Sequence, residues 1–282
     1  MRRPLLEATL FLCAAAFALN AAPAGQASPD RGRIEFTARV TPASGRTEPA
    51  RGLTIFLLTK SFQDIDREAL GKTPPPDFNG FVDHTAFSKE MKEWMKREHT
   101  VAVSGPQLRN HMNDDDVLHV PEFFDAYVNS NLSGLNQGFP EPKYTAPDRD
   151  ANTKKYQKYH VEYDAAVLKY LKAHPESKDG MDTILEQRDP SNAWGVEVMR
   201  WNERAHALAV EIAQTDYLAA KTETNLEGRG AFQTSPGTFW LSSLDGEALG
   251  GDRRLRWNVR VEVRAGDVTR VELSNLNAEK HQ

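Results

Sequence analysis

Apolar residues recur at every second position near the start of the chain. In "RIEFTARV", Ile34, Phe36, Ala38 and Val40 alternate with polar neighbours, the period of a strand with one buried face. A turn-rich stretch from Thr41 to Gly52 leads to "LTIFLLTK", a continuous apolar run that suits a central strand. The period then lengthens. Ser61 is placed to cap a helix through "FQDIDREAL", which the prolines at 74 to 76 end. "FSKEMKEWMKREH" sets Phe87, Met91, Trp94 and Met95 on one helical face. A second helix carries Tyr156, Tyr159, Tyr163, Val167 and Tyr170, and a third carries Trp194, Val198, Trp201, Ala205, Leu208 and Ile212.

From Tyr217 the period of two returns. "LRWNVRVEV" sends Leu255, Trp257, Val259, Val261 and Val263 one way and Arg256, Asn258, Arg260, Glu262 and Arg264 the other. "AGD" makes a turn, and "VTRVELS" is expected to run back as the second arm of a hairpin, with Thr269, Val271 and Leu273 inward. The pattern gives about seven strands, two before the helices and five after. Two strands make no stable unit alone, so both ends of the chain are expected to build one sheet structure. The predicted organisation is α+β: a seven-stranded antiparallel β-sandwich from residues 30–60 and 216–277, split by a mainly helical insertion over 61–215.

Composition adds a compartment. Arg2 and Arg3 precede an uncharged, mostly apolar run from Ala8 to Leu19, and small residues follow, so residues 1–27 read as a secretory signal peptide. The run is shorter than the roughly 20 residues a membrane span needs. Cys13 is the only cysteine, and cleavage would remove it, leaving no disulfide, zinc thiolate or cysteine nucleophile. A secreted or periplasmic bacterial protein stable through its core alone is the expectation. Loss of Arg2, Arg3 and Glu7 moves the net charge from −5 to −6, which disfavours nucleic acid or anionic lipid as partner.

The late segment also carries motifs: "TNLEGRGAF", "SPGTFWL" and "VEVRAGDVTRVEL", preceded at the other end by "GRIEFTARVTPASG" and "GLTIFLL". In this order they resemble the carboxypeptidase regulatory-like family of secreted bacterial proteins. Its pattern is a Thr-Asp-x-x-Gly-x-Phe turn, then Pro-Gly-x-Tyr-x-Leu, then paired terminal strands. This chain departs from it by an additional glycine in Glu227-Gly228-Arg229-Gly230. The resemblance implies a transthyretin-like (Ig-like) sandwich with a carbohydrate-binding-like fold, acting in carbohydrate, peptide or envelope-protein binding without catalysis. It implies nothing about the helical insertion.

Four features carry candidate chemistry. "HMNDDDVLHVPE" offers His111, Asp115, His119 and Glu122, with an H-x-x-E spacing at His119 and Glu122; imidazole and carboxylate ligands of this kind hold zinc or another divalent metal. The alternative function is therefore a metal-dependent hydrolase. The same stretch also reads as capped helix starts, with Pro121 in a first turn and Glu122 and Asp125 near its N-terminus. "DRDANTKKYQKY" begins like a calcium loop but has Thr153 at the sixth position and Tyr159 at the twelfth, which suits a loop feeding a helix. The arginines from Arg256 to Arg264 are expected to be solvated and paired across strands with residues such as Glu272. Trp240, between Phe239 and Leu241, points to the opposite face from both, as a ligand platform or as a docking point for the helices. Without a following helix N-terminus, "TETNLEGRGAF" reads as a strand-to-strand turn and not a phosphate loop.

Overall fold

The computed structural model describes residues 30–43, 45–132 and 138–279, so the expected signal peptide lies outside the described residues. The first alternation forms strand β1 (Gly32–Val40), in which Ile34, Phe36, Ala38 and Val40 are buried. Nine more strands follow: β2 (Glu48–Pro49), β3 (Thr54–Leu58), β4 (Leu218–Glu223), β5 (Arg229–Thr234), β6 (Gly237–Ser242), β7 (Ala248–Gly250), β8 (Arg253–Leu255), β9 (Asn258–Val263) and β10 (Val268–Leu273). One sheet has the order β4-β3-β6-β9 and is antiparallel throughout. In the other, β1 is central, with β5 antiparallel on one edge, β10 parallel on the other, and β2 against its last two residues. Ile34 and Phe36 of β1 and Leu273 of β10 share one apolar core with Ile55, Leu57, Phe239, Leu241 and Val261 of the first sheet.

Three expectations need correction. The described residues hold ten strands, not seven: β2, β7 and β8 are only two or three residues long, too short to leave a period. The sheets are not wholly antiparallel, because β10 runs parallel to β1, with Arg33 opposite Val268 and Thr37 opposite Glu272. The last two strands are therefore no hairpin. β9 pairs with β6 in one sheet while β10 joins β1 in the other. The intervening turn is tied to the start of β1, Gly266 N–H donating to Arg31 O and Arg33 N–H to Asp267 O.

The helices are α1 (Phe62–Lys72), α2 (Phe78–His84), α3 (Lys89–Glu98), α4 (Gly105–His111), α5 (Asp114–His119), α6 (Pro121–Leu132), α7 (Ala146–Asp150), α8 (Lys154–Ala173), α9 (Met181–Leu185) and α10 (Ser191–Thr215). The chain divides into two compact units. One takes both ends of the chain, through Ile65 and from Ala213; the other is Asp66–Ile212. The helical unit has its own core, in which Trp94 meets Phe123 edge to face at 4.8 Å and Met91, Met95, Val117, Tyr127 and Val167 are buried. On α8 the buried stripe is Tyr163, Val167 and Leu171, with Tyr156, Tyr159 and Tyr170 only half-buried. Leu171 takes the place expected for Tyr170 because Tyr163, Val167 and Leu171 follow one i, i+4, i+8 line along the helix.

The helices enter where a hairpin loop would stand. Leu58 of β3 lies opposite Leu218 of β4, and Thr59 N–H donates to Tyr217 O at 2.9 Å. A hairpin tip is a tolerant site for such an insertion, since the strands on both sides stay paired. The "TETNLEGRGAF" segment supplies the end of β4, a turn and the start of β5. Asn225 closes the turn, its side chain accepting from Arg229 N–H at 2.8 Å and its carbonyl from Gly228 N–H at 2.9 Å.

Gly228 has a φ of 73°, and a Cβ there would lie 2.4 Å from the carbonyl oxygen of Ala38. Gly266 has a similar φ of 76° with nothing within 4 Å. Gly266→Ala should therefore lose about 1–2 kcal/mol of stability from the left-handed backbone alone. Gly228→Ala should lose clearly more, because β1 must also give way. Equal denaturation midpoints for the two variants would contradict this account.

Candidate functional site

The buried half of β1 builds the core, and its polar half builds a surface. Arg33, Glu35, Thr37 and Arg39 project from the face opposite Ile34 and Phe36, as strand geometry requires. The register supplies their neighbours. Ala231 and Arg270 flank Glu35, while Arg229 and Glu272 flank Thr37. Thr37 and Ala231 are short and the surrounding side chains are long, so the face is an open groove of about 760 Å³.

The groove is cationic. Arg33 reaches Glu35 at 3.0 Å and Arg270 reaches the same carboxylate at 3.5 Å. Among the described residues Arg39 and Arg229 face no carboxylate partner. Arginine presents planar forked donors suited to carboxylates. The arrangement can therefore hold an acidic ligand against a floor of short side chains. The polar half of the "RIEFTARV" alternation is the sequence signal that locates this face.

Trp240 lies in β6 with Leu58 on one side and Arg260 on the other. It is half-buried on the face opposite the buried Phe239 and Leu241, so the structure does not bring it to the groove. The arginines of the last strands find other partners than expected. Arg256 pairs with Glu247 at 2.7 Å and Arg260 with Glu262 of its own strand at 3.0 Å, rather than with Glu272.

The candidate metal ligands are dispersed. His111 ends α4, with Nδ1 3.5 Å from Glu98. Asp115 is exposed in the first turn of α5, and its carbonyl is 2.7 Å from His119 Nδ1. Glu122 is buried, and both its oxygens accept from Ser88, from N–H at 2.6 Å and from Oγ at 2.7 Å. Ser88 Oγ in turn caps α3 by accepting from Met91 N–H. The acidic run serves helix starts: Asn113 and Asp116 form a capping box on α5. Among the described residues no three His, Cys, Asp or Glu side chains converge to hold a metal. Asp148 of the calcium-like stretch does similar work, closing a capping box with Thr145 at α7, and Lys155 and Thr145 hold its carboxyl well below the usual range.

A further polar cluster lies in the helical unit. On α8, His160 Nδ1 and Asp164 Oδ1 are 3.3 Å apart, among the rings of Tyr144, Tyr156 and Tyr163. Burial pushes the Asp164 carboxyl up, against the pull of His160 and of His119. Burial, with Tyr144 and Asp164 beside it, pushes the Tyr163 hydroxyl up to about 12, and among the described residues that hydroxyl has no hydrogen-bond partner. The i, i+4 spacing of His160 and Asp164 is available in the sequence; the tyrosine rings packed around them are not.

Two predictions follow from these side chains. Glu122→Ala removes two hydrogen bonds to a buried carboxylate and should cost about 3 kcal/mol, read as a lowered urea midpoint, with Glu122→Gln losing less. Because Asp164 is raised in the fold, its stabilising share is complete below the ordinary carboxylate range and is lost as pH rises through the raised value. Asp164→Asn should thus unfold at higher urea than wild type at pH 7, with the advantage shrinking toward pH 4. A variant gain independent of pH would refute the burial argument. No family model, no curated protein and no solved structure matches the chain.

Proposed function

We propose that this is an exported, non-catalytic binding protein. In this reading a transthyretin-like sandwich of the carboxypeptidase regulatory-like kind presents the β5-β1-β10 face to an acidic carbohydrate. The observation that carries it is the open groove in which four arginines outnumber Glu35 and Glu272, with Arg39 and Arg229 unpaired among the described residues, on a chain whose net charge is −5. A cationic concavity on an acidic protein concentrates field where a polyanion would lie. Its lining has no histidine, serine or cysteine, and its central carboxylate, Glu35, is held by two arginines. The family resemblance supports the sandwich, and the N-terminal charge and apolar pattern supports export.

An open, polar, shallow face favours an extended chain of repeating units over a small enclosed ligand. The test is calorimetry with an oligogalacturonate, its neutral methyl ester and a poly-glutamate peptide. The oligogalacturonate should bind, the ester should not, and affinity should fall with added salt. Arg39→Glu with Arg229→Glu should weaken binding by about tenfold or more. Preference for poly-glutamate would replace the glycan by an acidic peptide. Loss of binding in Trp240→Ala with none in the double arginine variant would move the site to the opposite face and end this proposal.

A further inference from the structure

A second depression lies wholly in the helical unit; it is as open as the groove but mostly apolar. It measures about 440 Å³ and is walled by Phe81, Ala86, Phe87, Pro190 and Ala193, with Arg188 and His84 at its edge. The wall comes from the end of α2, the segment leading to α3, and the first turn of α10. Its size falls within the range of ligand pockets, which are mostly apolar with a few polar groups that fix orientation.

Arg188 gives the pocket its chemistry. Its guanidinium lies over the Phe87 ring, 5.1 Å from the centroid, a stacked placement that fixes the fork while leaving its N–H donors available. The side chain is exposed and meets no carboxylate among the described residues. Its neighbour Asp189 is committed elsewhere, accepting from Val103 N–H, Ser104 Oγ and Ser191 N–H. Asp83, beside His84 in α2, pairs with Lys96 at 2.6 Å. His84 Nδ1 is held by Gly80 O at 2.6 Å, which leaves Nε2 as the ring's remaining polar atom. An apolar depression with one exposed forked cation, unpaired with any carboxylate among the described residues, matches a ligand with a hydrocarbon body and one carboxylate head.

We propose that this pocket binds a small alkyl carboxylate, a medium-chain fatty acid, with the chain against Phe81, Phe87 and Ala193 and the carboxylate on Arg188. This site is separate from the groove of the sandwich and does not depend on it. The dispersed acids of the metal-like stretch and the His160–Asp164 pair do not line it.

Titration of the full chain with octanoate and with 1-octanol, by calorimetry, tests it. Octanoate should bind saturably at one site, and octanol more weakly, since only the acid meets the guanidinium. Arg188→Gln should reduce octanoate affinity by about tenfold and leave octanol unchanged. Ala193 and Ala86 are exposed, so Ala193→Trp and, as an independent check, Ala86→Trp fill the pocket without disturbing the core. Each should abolish binding of both probes. Absence of saturable octanoate binding, or binding undiminished in both tryptophan variants, would overturn the pocket. Equal binding of octanoate and octanol, unaffected by Arg188→Gln, would overturn the carboxylate.

Discussion

Strand β1 is hydrogen-bonded along both edges by segments from the far end of the chain, β5 on one side and β10 on the other. Its apolar face closes on Ile55, Leu57, Phe239, Leu241 and Val261. Of these only β3 lies before the helices. The strand therefore has few partners until the whole insertion has been traversed, and the sheet must close a very long loop. Closure entropy rises only logarithmically with loop length, but non-local pairing slows folding. The paired ends of β3 and β4 localise the insertion at a hairpin position, and the independent apolar core of the helical unit lets that segment gain its own stability. The non-local pairing thus falls to the two-sheet unit, the more topologically demanding of the two.

The same alternation that commits β1 to the core commits its other face to solvent. A one-residue slip in register would exchange the two sets, so the position of Arg33, Thr37 and Arg39 is fixed by the burial of Ile34, Phe36 and Ala38. Charge is arranged differently in the helical unit. There the acids serve helix starts, at Asp116 and Asp148, or buried caps, at Glu122. Residues that share a metal-ligand composition are separated by these structural duties. Arg188 instead lies against Phe87, with no carboxylate partner among the described residues.

The sequence made the long elements legible and the pairing between them much less so. β1, β9 and β10 announce themselves because a single buried face imposes the period of two. The direction of β10 does not appear in that period, since the same inward Thr269, Val271 and Leu273 serve a parallel or an antiparallel neighbour. The turn at Gly266 looks alike whether the chain folds back or crosses to the other sheet; what distinguishes them is its hydrogen bonding to Arg31 and Arg33. Among the site candidates, His119 and Glu122 have ligand-like spacing, but Ser88, 34 residues before Glu122, decides what that carboxylate does. The cationic groove was half legible, because the alternation gave its face, while Arg229 and Arg270 needed the register.

The parallel β1–β10 pair also has a mechanical consequence. Chain enters β1 at Gly32 and leaves β10 at Leu273, and because the strands run the same way these two points lie at opposite ends of their shared ladder. Tension applied through the flanking chain would draw the strands lengthwise past one another. The six residue pairs from Arg33↔Val268 to Ala38↔Leu273 would share the load with the ties beyond Leu273, Asn275 to Thr41 and Ala278 to Trp257. A hairpin loaded at its open end yields one pair at a time. In this parallel ladder the pairs would resist together as a shear clamp.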